Sequence, residues 1–514
     1  MKANQLKAGS ILAYVQMGIG MIVQLVYTPV MIRLLGQSEY GLYNTVASTI
    51  SVLSLLSLGF NSGYIRYYAI YKKENNQTAI SKLNGLFLIV FSIIGAVALA
   101  CGLFLTFNLE LVFRSGLTFE EYKIARVLML LLTVNLSLSF PMSVFANIIS
   151  AHENFVFLKL VGMIKTVFGP LITLPLLLSG FRSIAMVSVT VLLNLVADIC
   201  YLYFVLFKLK EKFIFRSFEK GIFRELFTYT VFIAMNMIID QINWNIDKLL
   251  LGRFKGTSEV AVYSVGYTLY NCYHLFSTSI SNVFAPRIHK IVNATKNNLS
   301  KQREELTGLF TRVGRIQFLV LGLIASGVIF FGYYFIVNIW ADENYANAYK
   351  VALLLILPSS IALIENLGIE IQRAENKHRF RSIAYFFMAL INLVLSVILC
   401  QKYGAVGSAV GTAISLVVAN GIVMNIYYHK KCNIDILYFI KNIARLFAGL
   451  IIPVAFGVLL MRLDFVKSFV TFIAGVAAYT AVYCCSVWFL AMNSYEKELI
   501  LVPVRKVLKK SVKK

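Results

Sequence analysis

Apolar runs of roughly 20 residues recur about fourteen times along this chain, with Lys and Arg gathered in every second gap between them. Each run is long enough to cross a bilayer core as a helix, and in lipid a helix is one of the few structures that satisfies its own backbone. Hydrophobic residues make up 59% of the sequence, above the roughly 45–50% of soluble domains. The chain is therefore read as an all-α polytopic membrane protein. Spans are placed near 10–35, 39–65, 83–107, 122–148, 156–178, 183–207, 222–252, 258–286, 312–340, 346–371, 380–400, 404–428, 440–461 and 466–491.

The net charge of +24 is distributed by topology. Lys72, Lys73 and Lys82 follow span 2, six basic residues from Lys208 to Arg224 follow span 6, and seven from Arg287 to Arg315 follow span 8. About 35 of the 48 Lys and Arg share one side, which the positive-inside rule assigns to the cytoplasm. Both termini then lie inside, as an even number of spans requires. So basic a chain invites a nucleic-acid reading, but no soluble domain carries a groove-reading element. The tail, 503–514, alternates Val and Leu with basic residues and lies either on the anionic inner leaflet or in solvent.

Six of the seven cysteines, including Cys484 and Cys485, fall within spans, and Cys432 lies in a cytoplasmic loop; free thiols are expected. The N-terminus resembles a signal-peptide n-region, but its apolar stretch runs to Leu35 without a small-residue cleavage site and reads as a retained span 1. The sequons at Asn76, Asn293 and Asn298 fall in cytoplasmic loops and carry no glycan on this topology. There is no Gly-x-x-x-x-Gly-Lys-Ser/Thr loop, no Cys/His metal cluster and no soluble catalytic domain. No catalytic residue, metal or cofactor is expected. Pro29 in span 1, and Pro170 and Pro175 in span 5, mark these helices as candidate flexing elements.

An internal repeat is legible. Leu34-Leu35-Gly36-Gln37-Ser38-Glu39-Tyr40-Gly41-Leu42-Tyr43 ends span 1; Leu250-Leu251-Gly252, then Ser258-Glu259 and Tyr263, ends span 7. Ala151-His152-Glu153-Asn154 before span 5 is echoed by Ala374-Glu375-Asn376 before span 11. Both echoes are offset by about 220 residues, or six spans, so the chain reads as two parallel six-helix halves plus two helices. The boundaries are 1–207 for the first lobe, 208–221 for a cytoplasmic linker, 222–429 for the second lobe, 430–491 for the added helices and 492–514 for a basic tail.

These motifs, with the Asp247-Lys248-Leu249-Leu250-Leu251-Gly252 end of span 7, resemble the polysaccharide-type branch of the multidrug/oligosaccharidyl-lipid/polysaccharide exporter superfamily over essentially the whole chain. The resemblance implies a multi-pass protein of a bacterial plasma membrane. Its implied activity is flipping undecaprenyl-pyrophosphate-linked oligosaccharides to the outer leaflet for capsule, O-antigen or exopolysaccharide synthesis. The expected partners are that substrate, membrane lipids and polysaccharide polymerase machinery, with the chain itself a monomer. The drive is an ion gradient, the membrane potential or mass action. The alternatives are a cation-coupled multidrug exporter of the same superfamily and a membrane-embedded glycosyltransferase or polymerase. The latter would need a larger outer loop than 108–121.

Charges in the membrane are costly and tend to be functional. Arg33, Arg66 and Lys165 form a candidate cationic lining for a pyrophosphate, since the resemblance implies basic residues in a central cavity. Asp198 either modulates Lys165 or pairs with it structurally. Snorkelling to the interface is the competing reading for both arginines. In span 7, Asn236, Asp240, Asn243 and Asp247 recur at steps that share a helical face. In span 8, Tyr263, Tyr267, Tyr270 and His274 do the same. The two stripes read as a sugar-binding cavity lining or as an interhelical polar seam. Asp240 is the candidate coupling-ion site. Glu365, Glu370 and Arg373 read as an ion network at an inner gate or as a solvated helix end.

Overall fold

A computed structural model describes residues 2–113, 117–216, 221–375, 377–499 and 501–502. The basic stretch 503–514 lies outside them. The described residues are overwhelmingly helical and contain no strand. In the first part of the chain come α1 (Lys2–Leu53), α2 (Phe60–Lys73), α3 (Gln77–Phe107), α4 (Phe119–Ala151), α5 (Phe155–Leu178) and α6 (Arg182–Tyr203). Next come α7 (Ile222–Trp244), α8 (Ile246–Phe254), α9 (Thr257–Asn282), α10 (Ala285–Ala294), α11 (Leu299–Tyr334), α12 (Ala346–Ile364) and α13 (Leu367–Ala374). The remainder is α14 (His378–Leu416), α15 (Asn425–Lys431), α16 (Ile436–Ala444), α17 (Ile451–Arg462) and α18 (Phe469–Leu490). Among the described residues, ten helical stretches are long and apolar enough to cross a membrane. This is a multi-pass membrane protein.

Two of those stretches are broken at a single glycine in the left-handed region, Gly36 (φ 77) in α1 and Gly404 (φ 58) in α14. A side chain is penalised at such a backbone conformation and glycine, lacking a Cβ, is not, so glycine marks the break. Other breaks fall at Leu58–Gly59, at Asn245 and at Glu365–Asn366. The helices carrying Pro29, Pro170 and Pro175 run on through them.

The chain divides into two compact units, one of Met1–Ser264 with Ala389–Gly411 and one of Val265–Met388 with Thr412–Lys514. In the first, helices approach closely where glycine faces a partner. A Cβ at Gly9 would sit 2.6 Å from Phe155 Cβ, and one at Gly162 would sit 2.6 Å from Gln16 Nε2, so α1 and α5 cross at small residues. The α3–α4 seam is similar: Ser137 Oγ donates to Gly95 O at 2.7 Å.

Turns of alternate parity gather at opposite ends of this unit. At one end, Glu39 accepts from Ser183 N at 2.9 Å and Ser183 Oγ at 2.5 Å, capping α6. Glu259 accepts from Ala405 N at 2.6 Å, capping the helix that resumes after Gly404. The two caps bridge 144 and 146 residues, and a positive φ stands at the start of each capped helix, at Arg182 (φ 50) and Gly404 (φ 58). The repeated Ser-Glu is thus a repeated helix-capping device. At the other end, His152 Nε2 lies 3.0 Å from Glu211 Oε1, and Ile214 N donates to Ser81 O at 2.9 Å.

The second unit centres on Phe310, Tyr428 and Phe439, with Tyr479 and Tyr483 from α18. Arg315, buried on α11, donates to both carboxylate oxygens of Glu496 at 2.6 and 3.0 Å, to Asn442 O at 3.1 Å and to Ala491 O at 2.9 Å. The stretch 494–499 is helical, and Glu496 is 2% exposed. Here the segment after α18 packs into the unit. All seven cysteines are free thiols.

Candidate functional site

Lys165 sits half-buried on α5, and its ammonium donates to Asn194 Oδ1 of α6 at 2.7 Å. Asn194 Nδ2 in turn donates to Asn135 Oδ1 of α4 at 3.1 Å. Asp198, one turn beyond Asn194 and half-buried, acts on Lys165 electrostatically. Amides of α6 and α4 thus orient the Lys165 ammonium on α5, and the Asp198 carboxylate acts on it as a nearby opposite charge. Arg33 is exposed on α1 just before the Gly36 break, and Arg66 is exposed on α2. Asn135 and Asn194 are functional candidates that the sequence reading passed over; the spacing of Asn194, one turn before Asp198, is the signal that would have found it.

The polar stripe of span 7 is split by the break at Asn245. Asn236 and Asp240 are exposed on α7. Asn243 is half-buried and accepts from Asn392 Nδ2 at 3.2 Å. Asp247 belongs to α8 and is fully buried, accepting from Tyr263 Oη and from Ser408 Oγ, both at 2.7 Å. Asp247 and Tyr263 therefore pack together, and the shared face ends at Asn243. In the second unit Tyr267, Tyr270 and His274 follow one another as a tilted aromatic row, with centroids 5.8 and 6.0 Å apart. Of the two carboxylates expected near a gate, Glu370 pairs with Arg373 at 2.5 Å. Glu365 is buried and accepts from Asn425 Nδ2 at 2.9 Å.

Where the Gly36 and Gly256 turns meet in the first unit, Ser38 Oγ and Thr257 Oγ1 are 3.0 Å apart. Both hydroxyls reach Glu121 in the first turn of α4, Ser38 by a short hydrogen bond and Thr257 at 3.3 Å. The same carboxylate accepts from Thr118 N and Thr118 Oγ1, both at 2.9 Å, as part of the capping box of α4. One side chain thus closes its own helix and joins the two turns. A Cβ at Gly41 would overlap the carbonyl oxygen of Thr257, and one at Gly252 would overlap the Thr45 side chain. Arg253 donates to Leu111 O beside them. Gly41 lets the helix after the Gly36 break touch the Thr257 backbone, and Gly252 makes room for the Thr45 side chain.

Comparison with known proteins decides the family. Residues 6–292 match the family of polysaccharide biosynthesis proteins, more than half of the chain. The chain belongs to the polysaccharide biosynthesis protein family. Among solved structures, a lipid II flippase MurJ in an inward closed conformation matches with a TM-score of 0.68 at 18% identity, covering 96% of this chain and 99% of that one. An inward-facing MATE-family multidrug resistance transporter of the MOP superfamily matches with a TM-score of 0.62 at 15% identity, covering 84% and 98%. The MATE multidrug transporter DinF-BH gives 0.58 at 16%, covering 84% and 96%. These likenesses establish that this polysaccharide biosynthesis protein has a MurJ/MATE-like fold. No curated protein matches in sequence.

Proposed function

We propose that this protein is a flippase, not an enzyme, that carries undecaprenyl-pyrophosphate-linked oligosaccharide repeat units from the cytoplasmic to the outer leaflet of a bacterial plasma membrane, by alternating access of two lobes. It supplies capsule, O-antigen or exopolysaccharide synthesis. The observation that carries this reading is Lys165, a membrane-embedded cation held in place by Asn194 and, through it, Asn135. A pyrophosphate crossing a low-dielectric interior needs such a charge along its route, and Arg33 and Arg66 would extend it. A groove of about 550 Å³ in the second unit, lined by apolar side chains such as Phe318, Leu321, Ile361 and Phe447, is suited to a prenyl chain. Asn236, Asp240, Asn243, Tyr267, Tyr270 and His274 are assigned to sugar contact.

Counting separately the helices on either side of Gly36 and of Gly404, and adding the polar stretches α7–α8 and α9, raises the ten spans to fourteen crossings. An even number sets both termini on one side, which the distribution of Lys and Arg makes the cytoplasm, and the proposed lobes are 1–207 and 222–429. Single cysteines at 208–216 and 290–305 should be labelled only from the cytoplasm, and those at 108–113 and 341–345 only from outside. Reversed labelling would invert the proposed direction.

Lys165→Glu should abolish surface polysaccharide while leaving the protein in the membrane at wild-type level, and Lys165→Arg should retain part of the export. Full export by Lys165→Glu would remove this residue from the substrate path. The likeness to MATE transporters, together with Asp198 and Asp240, favours cation-coupled drug export as the second reading. Resistance to organic cations that survives loss of polysaccharide export would favour it over the flippase.

A further inference from the structure

At the end of the second unit that carries the basic 285–305 stretch lies a groove of about 890 Å³ between α10, α11 and the start of α16. Four cations line it: Arg287 from α10, and Lys301, Arg303 and Arg312 from α11. It also holds carboxylates, Glu304 and Glu305 on α11 and Asp435 ahead of α16. Asp435 is engaged, 3.7 Å from Arg303 and accepting from Tyr438 N at 3.1 Å as the cap of α16. Glu304 and Glu305 are exposed.

Two further features point outward to a ligand. Gly308 lines the groove in the third turn of α11, yet a Cβ there would meet nothing within 4 Å. Helix packing does not require this glycine, which disfavours a helix interior, and its effect is to leave the groove floor open. At the mouth, α16 turns Leu437 (71% exposed), Tyr438 and Ile440 outward, apolar and aromatic residues suited to the headgroup boundary of a bilayer.

We propose that this groove binds the headgroup of an aminophospholipid of the inner leaflet. Arg287 and Lys301 take the phosphodiester, Glu304 and Glu305 take the ammonium, and Leu437, Tyr438 and Ile440 meet the acyl chains. Both signs of charge on one wall set it apart from a purely anionic lipid site. The placement in the inner leaflet rests on the topology proposed above; the binding does not.

The test is lipid retention by the purified full-length protein, read by native mass spectrometry after release from nanodiscs of phosphatidylethanolamine, phosphatidylglycerol or phosphatidylcholine. Wild type should retain phosphatidylethanolamine about tenfold over phosphatidylcholine. Gly308→Leu, which fills the floor, should remove that preference. The exposed Glu304→Gln/Glu305→Gln pair should shift it toward phosphatidylglycerol, and keeps the test valid if the Leu variant fails to fold. Equal retention of all three lipids, a wild-type preference for phosphatidylglycerol, or equal competition by soluble glycerophosphoethanolamine would each overturn the assignment. Nanodiscs expose both leaflets identically, so an inverted topology would leave retention unchanged and only move the lipid to the other leaflet.

Discussion

Glu496→Ala is expected to cost the second unit about 3–5 kcal/mol, because it leaves the Arg315 guanidinium buried without its counter-charge. Arg315 and Glu496 are 7% and 2% exposed, and their hydrogen bonds are made to each other and to the backbone around α16 and α18. The thermal unfolding temperature of the detergent-solubilised protein should fall steeply for Glu496→Ala. Arg315→Met/Glu496→Leu should recover most of the loss, since replacing a buried pair by apolar side chains is often neutral. Equal destabilisation by the single and double variants would mean that packing volume, rather than the unpaired charge, sets the cost.

Gly41→Val should reduce transport by about tenfold or more, the effect of holding apart two backbones that must touch. The valine would collide with the Thr257 carbonyl and spread the turns that carry Ser38 and Thr257. A Ser38→Cys/Thr257→Cys pair reports this directly. Its side chains start 3.0 Å apart and should cross-link readily while Gly41 is kept, and poorly once valine replaces it. Rapid cross-linking together with full transport in the Gly41→Val background would separate this contact from function.

Much of the architecture is legible in the sequence because hydropathy and charge alternation act locally. The break at Gly36 and the paired Glu39 and Glu259 lie where the motif echo places them, and the capping of Ser183 and Ala405 supplies its physical reason; α8, however, runs on through Gly252 to Phe254, and its turn falls at Gly256. The partners were not legible. Asn194 reaches Lys165 from α6 and is held in turn by Asn135 of α4; the one-turn spacing of Asn194 and Asp198 hints at the first, but no local pattern distinguishes Asn135 from interhelical glue. Asp247 fits the α7 stripe only while the helix is taken as continuous. The break at Asn245 directs it to Tyr263 and Ser408. Glu496 lies in what reads as a basic tail, and its role follows only from the position of Arg315.

The proposed function is movement of a lipid-linked oligosaccharide across the membrane. The direct measurement follows labelled undecaprenyl-pyrophosphate-linked repeat units in spheroplasts with and without the chain, scoring the fraction cleaved by an added membrane-impermeant glycosidase. With the wild-type chain the oligosaccharide should become cleavable from outside. Without it, or with Lys165→Glu, it should accumulate in protected form on the cytoplasmic leaflet. Equal cleavage in the presence and absence of the chain would contradict the account.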